Sequence, residues 1–505
     1  MRRSLIVAVT DLPTCWDMEH PAGFRHELGA DLFQNCYEQL TSPTCQIGED
    51  GVRRSDWQRL RPDLAEAWWW SDDRRTWTFR LRRGVCSAAG HELSAEDVRW
   101  GWERAFALRD IGKWVALVSS VPDAAAIEVL DRFTIAFHLD APNSALPRTL
   151  AQCTPAVYDS AVARAAASPD DPWASRFLAR TPAGFGPYTL ASHSEEAVVL
   201  RAVSHWWRGP LAIEEAVFQR FPSRAEAIAA LQGGAAHLLL GVSGEEAADL
   251  RQQPHLRVVV AETPPGLALH LDPTEPPLEN VLVRRAIAHA LPYREIIATA
   301  FLGAARRWKS WLQPENPAYA PDLWPYEEDL AEARRLLAAA GCSGFATRLA
   351  VLPGDGALLA AQLIADALAR LDISVTIEEV SGQSRRDLVG LAKANLAPLM
   401  LRAGAGRGHR VYDPIYTLMH DFGPGRMRLV RYAYDGQELA TALRAIAAAG
   451  DDWEREARRA QAILNADAVV IPLCWSHFYV AYHRDLTGYR WYPDNRIRLA
   501  DLAWR

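Results

Sequence analysis

Residues 347–380 constrain the fold more than any other part of the sequence, because they carry an uninterrupted strand–helix–strand pattern. Thr347–Leu352 and Ser374–Val380 are predicted strands, and Ala357–Leu371 between them is a predicted helix. A helix that connects two neighbouring parallel strands covers one face of their sheet. Shorter strand–helix alternation recurs between residues 197 and 240. The sequence therefore predicts α/β domains with covered sheets in more than one region.

Local patterns predict individual strands and helices elsewhere. Thr76–Arg82 alternates polar and apolar side chains with a period of two, which is typical of a half-buried strand. Ser94 is a candidate N-cap for the helix that follows, and Asp97 in its first turn suits the positive end of the helix dipole. Leu330–Ala340 is a predicted helix that ends at Gly341.

The region between these elements is predicted to be irregular. Residues 155–180 are rich in Ala and polar side chains, which indicates a loosely packed connection. Thr181–Tyr188 contains two Gly and two Pro in eight residues, a composition that predicts a tight turn.

Composition excludes some classes of protein. The 505 residues are 49% hydrophobic and carry a formal net charge of −7, so long disordered regions are not expected. The mild acidity argues against a nucleic-acid-binding protein, which needs a concentrated basic surface. Trp is unusually frequent, with 19 residues against 14 Tyr and 14 Phe. Because a buried indole N–H requires a partner, this surplus suits interfaces and ligand clefts better than a plain core.

The cysteines and the N-terminus bear on the cellular compartment. The seven Cys are scattered without a C-x-x-C pair, which predicts free thiols and no structural zinc, and leaves a Cys36–Cys45 bridge open. The apolar run Ser4–Val9 is shorter than the core of a secretory signal and is predicted to be a buried first strand. No apolar stretch approaches the roughly 20 residues of a transmembrane helix.

No motif in the sequence identifies a reaction. H-E-x-x-H, G-x-S-x-G, P-loop and dinucleotide-binding fingerprints are absent from the sequence. Gly404–Gly408 is glycine-rich but no helix follows closely, so a ligand-facing loop is favoured over a phosphate cradle. We therefore expect no catalytic residues, no metal site and no cofactor.

Several segments resemble, in order and spacing, the motifs of one protein family. They are Pro62–Trp68, Ser71–Asp73, Thr76–Arg82, Leu93–Val98, Thr181–Tyr188, Trp206–Gly209, Val281–Leu291, Asp329–Ala340 and Val470–Leu473. Together they resemble the extracellular solute-binding proteins of family 5, the oligopeptide-, dipeptide- and nickel-binding components of ABC transporters. The resemblance spans nearly the whole chain.

The resemblance implies a two-lobed periplasmic-binding-protein-like α/β fold of the class II type, with an extra subdomain in the first lobe. Lobe I is then expected to comprise residues 1–45, 178–262 and 478–505. The extra subdomain is expected at 46–177 and lobe II at 263–477. Closure of the lobes around a ligand would be a hinge motion at the chain crossings near 262 and 477.

Ligand-contacting positions are also implied by the resemblance. Aromatic side chains in the family's ligand-facing loops could enclose a ligand by stacking and burial, although core packing is the alternative for each of them. The candidate ligand-binding residues are Trp16, Tyr37, Phe185, His270, Trp308, Arg402, Arg410, Tyr412, Asp413 and Trp475.

Arg410 bears on the kind of ligand. Aligning Asp413-Pro414 with the "DP" of the family's peptide binders places Arg410 where those proteins have an acid for the peptide α-amino group. A cation there would repel an ammonium group and attract a carboxylate or phosphate, and Arg402 and Arg407 would reinforce this. The alternative is that the loop is shifted and Arg410 faces solvent.

Two functions follow from these features. The first is a monomeric solute-binding protein that captures a peptide-like or other small organic ligand for uptake through an ABC-transporter permease, and this ligand is expected to be anionic if Arg410 faces it. It would act in the periplasm or at the cell surface if a leader has been trimmed. If Met1 is native, the alternative is a cytoplasmic homologue that senses or carries a metabolite or acts in a biosynthetic pathway.

Overall fold

The computed structural model describes most of the chain. The described residues are 4–20, 27–48, 53–108, 115–116, 118–151, 155–262, 266–312, 314, 316–352, 354, 356–380, 397–403, 418, 436–449, 452–492 and 497–505. The chain forms two compact units, with residues 1–261 and 478–505 in unit 1 and residues 262–477 in unit 2. The predicted bounds of the two lobes, and the subdomain at 46–177, stay a prediction.

Unit 1 contains the first strands and helices of the chain. Its strands are β1 (Ser4–Val9), β2 (Thr41–Ile47), β3 (Arg53–Pro62), β4 (Ala65–Trp70), β5 (Thr76–Leu81), β6 (Ile127–Asp131), β7 (Thr134–His138), β8 (Tyr188–His193), β9 (Ala197–Ala202), β10 (Glu215–Arg220), β11 (Leu238–Val242) and β12 (Leu256–Glu262). Its helices are α1 (Glu27–Cys36), α2 (Ala95–Leu108), α3 (Leu146–Thr149), α4 (Ser160–Ala166), α5 (Ser175–Leu178), α6 (Arg224–Gln232) and α7 (Gly244–Leu250).

Unit 2 has its own set of elements, and the C-terminal segment then returns to unit 1. Unit 2 has β13 (Leu267–Leu271), β14 (Ala305–Arg307), β15 (Phe345–Val351), β16 (Ile373–Glu379), β17 (Leu399–Ala403) and the first part of β18 (Val470–His483). Its helices are α8 (Val281–Ala290), α9 (Tyr293–Glu295), a π-helical turn (Ile296–Ala300), α10 (Leu330–Ala339), α11 (Ala357–Ala369), α12 (Gln437–Ala448) and α13 (Trp453–Asp467). The last strands, in unit 1, are β19 (Leu486–Thr487), β20 (Arg490–Trp491) and β21 (Ala503–Trp504).

The main sheet of unit 1 has the order β18-β11-β1-β10-β9-β8. β1 lies at its centre and is parallel to both β10 and β11, with Val7 opposite Phe218 and Leu238. Its side chains at Leu5 and Val7 are fully buried, as expected for an apolar strand flanked on both edges. A second, four-stranded sheet has the antiparallel order β4-β5-β7-β6. The strand predicted at Thr76–Arg82 is therefore confirmed.

The sheet of unit 2 has the order β16-β15-β17-β13-β18, with β14 paired to β18. β15 is parallel to both β16 and β17. The strand–helix–strand unit predicted from residues 347–380 is confirmed as β15, α11 and β16. Gly341, which follows the C-cap residue Ala340 of α10, has a φ of +67°, a conformation that favours glycine at the end of a helix. The fold is thus mixed α/β in each unit.

The expectation of a loose connection at residues 155–180 is wrong. Asp159 caps α4 by accepting a hydrogen bond from Val162 N, and α5 follows. The side chain of Asp97, at the start of α2, accepts hydrogen bonds from the backbone and hydroxyl of Ser160 at 2.9 and 2.7 Å. The local composition could not predict this regular structure, because Asp97, which stabilises it, lies 63 residues away from Ser160 in the sequence.

Candidate functional site

Trp16 lies in the loop that follows β1. Its side chain is 1% exposed, and its backbone N–H donates to the carbonyl of Ala179 at 2.9 Å. The edge of its ring meets His193, with ring centroids 5.9 Å apart. The ring nitrogen has no hydrogen-bond acceptor among the described residues. A buried donor in this state is unfavourable unless water or a ligand accepts its hydrogen bond.

The residue after Trp16 anchors this loop to helix α2. Asp17 and Arg104 form a fully buried ion pair, in which Arg104 Nη1 donates to Oδ1 at 3.0 Å and Nη2 to Oδ2. Arg104 also donates to the hydroxyl of Tyr158, the carbonyl of Trp173 and the hydroxyl of Ser175. All five N–H groups of the guanidinium are therefore used. The loop that carries Trp16 is held by a network that the sequence did not reveal.

Tyr37 and Phe185 lie around the turn predicted at Thr181–Tyr188. The Tyr37 hydroxyl accepts a hydrogen bond from Ala183 N at 3.0 Å, and burial raises the pKa of this hydroxyl well above its usual range. A Cβ atom at Gly186 would lie 2.4 Å from the carbonyl carbon of Cys36, so the turn requires glycine there. Phe185 is fully buried in the hydrophobic cluster that contains Phe79. The structure places both aromatic side chains in internal packing.

Trp308 and Trp475 are brought together in unit 2, although they are distant in sequence. Their ring centroids are 5.9 Å apart with an interplanar angle of 34°, and Trp311 meets Trp308 edge-on at 5.5 Å. The ring nitrogen of Trp308 donates to the carbonyl of Ser310 at 2.6 Å. The ring nitrogen of Trp475, by contrast, has no acceptor among the described residues. Trp475 is thus the member of this group with a hydrogen bond left to make.

Two adjacent arginines beside this aromatic group were not predicted. Arg306 of β14 lies opposite Trp475 of β18, and its guanidinium carbon is 4.4 Å from the centroid of that ring. Arg307 points to the other face and lies 3.6 Å from the centroid of the Tyr293 ring. The Arg-Arg-Trp sequence was the available signal, since alternate side chains of a strand face opposite sides. Arg306 therefore adds a cation to the face that carries Trp475.

The remaining predicted ligand residues lie on or beyond two paired strands. His270 in β13 is buried opposite Met400 and Val470. Arg402 is paired with Ala268 through its backbone, and its side chain is outside the described set. Arg410, Tyr412 and Asp413 lie outside the described residues.

The described residues contain no group of three or more His, Cys, Asp and Glu side chains that could hold a metal ion. Cys36 and Cys45 are both free thiols, and Cys36 is buried while Cys45 is exposed. No helix in the described part of the chain is long and apolar enough to cross a membrane.

Comparison with protein families gives a match over most of the chain. The model described as "Bacterial extracellular solute-binding proteins, family 5 Middle" matches residues 59–423. The chain belongs to this family. The glutathione-binding protein GsiB of Salmonella choleraesuis is 26% identical over 455 residues, which cover 88% of this chain and 86% of that protein.

Two solved structures agree with the fold. HbpA2 from Haemophilus parasuis superposes with a TM-score of 0.81 at 20% identity, over 99% of this chain and 100% of that one. The periplasmic binding protein DppA from Helicobacter pylori, in complex with the peptide STSA, gives a TM-score of 0.79 at 22% identity, over 99% and 98% of the two chains. The family, the two-lobed binding-protein fold and the α/β class predicted from the sequence are confirmed.

Proposed function

We propose that this chain is the solute-binding component of an ABC importer that captures a peptide-like or other small organic ligand and delivers it to a permease. The observation that carries the proposal is the family match over residues 59–423, together with relatives aligned over most of their length. Binding is non-covalent and requires no cofactor. We further propose that the protein acts as a monomer and that it acts outside the cytoplasm; the word "extracellular" in the family description supports the second part.

The proposed ligand carries an anionic group. Arg306 beside Trp475 supports this, because its guanidinium places a positive charge 4.4 Å from the centre of the indole ring, and a cation attracts a carboxylate. The related GsiB is named for glutathione, a small peptide with two carboxylates. The arginines at 402 and 410 were predicted to act in the same sense.

Trp16 in unit 1 and Trp475 in unit 2 are the proposed ligand contacts in the described residues. Both are about 1% exposed, and both ring nitrogens lack an acceptor there. The ring nitrogens of Trp70 and Trp324 also lack an acceptor among the described residues, so an indole N–H alone does not single out a ligand residue. Trp16 is distinguished by the loop after β1 that the family uses for its ligand, and Trp475 by Arg306 on the same face.

The test is titration calorimetry with glutathione and with a mixture of unmodified di- and tripeptides. We expect saturable binding of at least one of them, and a loss of about tenfold in affinity for Trp475→Phe and for Arg306→Gln, since a hydrogen bond to a charged group contributes roughly 1.5–3 kcal/mol. Trp69→Phe is the matched control, because Trp69 is 47% exposed on the surface of unit 1.

Native mass spectrometry of protein purified from its own host supplies the ligand if neither probe binds. A retained peptide-like or organic acid supports the proposal. Absence of any retained or added ligand, together with recovery of the protein in the cytoplasmic fraction, would favour the cytoplasmic alternative instead.

A further inference from the structure

A polar pocket opens on unit 1, with about 600 Å³ of empty space that includes part of the open solvent. Its wall is formed by the chain after α1, strands β2 and β3, the turn after β9 and the C-terminal segment. Among the described candidate ligand residues, Tyr37 alone lies in this wall. The pocket is therefore a different place from the surfaces around Trp16 and Trp475.

The carboxylates in the wall are already engaged. Glu38 accepts hydrogen bonds from the ring nitrogens of Trp207 at 2.7 Å and Trp206 at 3.3 Å. Asp63 accepts hydrogen bonds from the Ser42 hydroxyl and from Arg208.

Asp501, on the C-terminal side of the pocket, is also occupied. Its Oδ2 accepts a hydrogen bond from the Tyr492 hydroxyl at 2.6 Å. Each acid of the wall therefore already accepts at least one hydrogen bond from a side chain of this protein.

Several hydrogen-bond donors of the wall have no partner among the described residues. The side chain of Arg61 forms no hydrogen bond or ion pair with the described residues, although its backbone pairs with Ser42 in the sheet. The Nε of Arg208 and the side-chain nitrogen of Gln39 are buried and have no acceptor there. A molecule that fits this wall must therefore supply oxygen acceptors.

The charge of the wall points in the same direction. Arg61, Arg208 and Arg498 line the pocket together with Asp63 and Asp501 and with Glu38. Burial, reinforced by the negative charge of Asp63, raises the pKa of Glu38 to about 8, although Arg208 and the two indoles oppose this rise. The wall therefore carries three arginines against two aspartates, and the rise in the pKa of Glu38 reduces the negative charge that this third acid contributes.

We propose that this pocket is a second small-molecule site, which binds a small anion through carboxylate or phosphate oxygens held by Arg61, Gln39 and the Nε of Arg208. The guanidinium of Arg61 would supply the charge-assisted hydrogen bonds, and the two buried donors would fix the orientation of the anion. The site is additional to that of the transported solute.

The experiment is titration calorimetry at pH 7 in chloride buffer, with inorganic phosphate and with succinate as separate probes. We expect at least one probe to bind saturably below about 10 mM and to lose about tenfold or more in affinity in Arg61→Gln, the equivalent of one charge-assisted hydrogen bond. Binding of phosphate alone, of succinate alone or of both identifies the natural anion as a phosphate, a carboxylate or either. Gln39→Met should weaken the same probe.

Two control variants make the result specific. Arg59 lies in the same strand as Arg61 but outside the pocket wall, and its side chain is 82% exposed. Arg59→Gln should therefore leave the affinity unchanged. Trp475→Phe should also leave it unchanged, which separates this site from the one proposed for the solute. The proposal is overturned if neither probe saturates, if Arg61→Gln binds like the wild type, or if Trp475→Phe abolishes the binding.

Discussion

Unit 1 and unit 2 both bury arginines, but they satisfy them differently. In unit 1, Arg104 pairs with Asp17, and Arg208 pairs with Asp63 and lies 3.4 Å from Glu38. In unit 2, the Nη1 of Arg307 donates to the carbonyls of Trp308, Pro472 and Leu473 at 2.6–2.9 Å. Arg284 likewise donates to the carbonyls of Leu278, Glu279 and Asp467. Arg104 and Arg208 of unit 1 thus pair with carboxylates from remote segments, whereas Arg307 and Arg284 of unit 2 donate to backbone carbonyls.

The pKa values follow from this difference. Burial lowers the pKa of Arg307 and of Arg284 below the usual arginine value. Burial also disfavours the charged form of Arg104, but Tyr158 and Asp17 outweigh it and raise the pKa of this guanidinium. A buried arginine that neutralises a buried acid is part of a pair, and removing it leaves a charge without compensation. When an arginine that donates to backbone carbonyls is removed, the acceptors left without a donor are neutral.

The largest expected effect is that of Arg104→Met, which directly tests the difference between the buried arginines of the two units. Asp17 would remain buried without its counter-charge, so we expect unit 1 to lose about 3–5 kcal/mol of unfolding free energy. Hydrogen exchange followed by mass spectrometry across a urea series reports the peptides of unit 1 and unit 2 separately. The loss should be confined to peptides of unit 1.

Two further variants test whether the loss comes from the unpaired charge of Asp17. Arg99 lies in the same helix and forms a partly exposed ion pair with Glu103, so Arg99→Gln should change the unfolding free energy little. The double variant Asp17→Asn/Arg104→Met should recover much of the lost stability, because it removes the unpaired charge but keeps an acceptor for Glu19 N. A single Arg104→Met variant as stable as the wild type would show that the pair does not stabilise the unit.

The second effect is a pH dependence of unit 1 that comes from Glu38. Burial raises the pKa of this carboxyl from 4.5 to about 8, so the folded protein holds a proton that the unfolded chain has released. The stability contributed by Glu38 is therefore complete below pH 4.5 and falls as the pH rises towards 8. Between pH 5 and 8 we expect a loss on the order of 2–3 kcal/mol in urea unfolding.

Glu38→Gln should remove most of this slope, because an amide does not titrate. Glu66→Gln provides the control, since Glu66 lies in an exposed pair with Arg80. Parallel pH profiles for the wild type and Glu38→Gln would contradict the assignment of the slope to this carboxyl.

The sequence predicted the features that depend on neighbouring residues. The strand at Thr76–Leu81 and the end of α10 at Gly341 follow from alternation and from backbone conformation, both of which are local. The buried ion pairs could not be predicted, because Asp17 and Arg104 are 87 residues apart and no periodicity marks them as partners.

The candidate site likewise contains residues that the sequence predicted and residues that it did not. Trp308 and Trp475 were named together only through the resemblance to family 5, and the pairing of β14 with β18 is what brings them into contact. Arg306 was missed although it precedes Trp308 by two residues, the spacing of side chains on one face of a strand. Its importance depends on the register with Trp475, which a single sequence does not contain.

The smallest expected effect is that of Arg307→Met in unit 2. The variant loses hydrogen bonds to three carbonyls and the contact with the ring of Tyr293. The Met side chain keeps apolar volume, and no carboxylate is left without its ion-pair partner. We therefore expect a loss of about 1–2 kcal/mol, measured by exchange of unit 2 peptides, which is smaller than the loss in Arg104→Met. Arg335→Gln, in an exposed pair with Glu332, should leave the exchange unchanged. If Arg307→Met cost as much as Arg104→Met, desolvation of the guanidinium rather than the orphaned partner would determine the cost, and the distinction between the two units would fail.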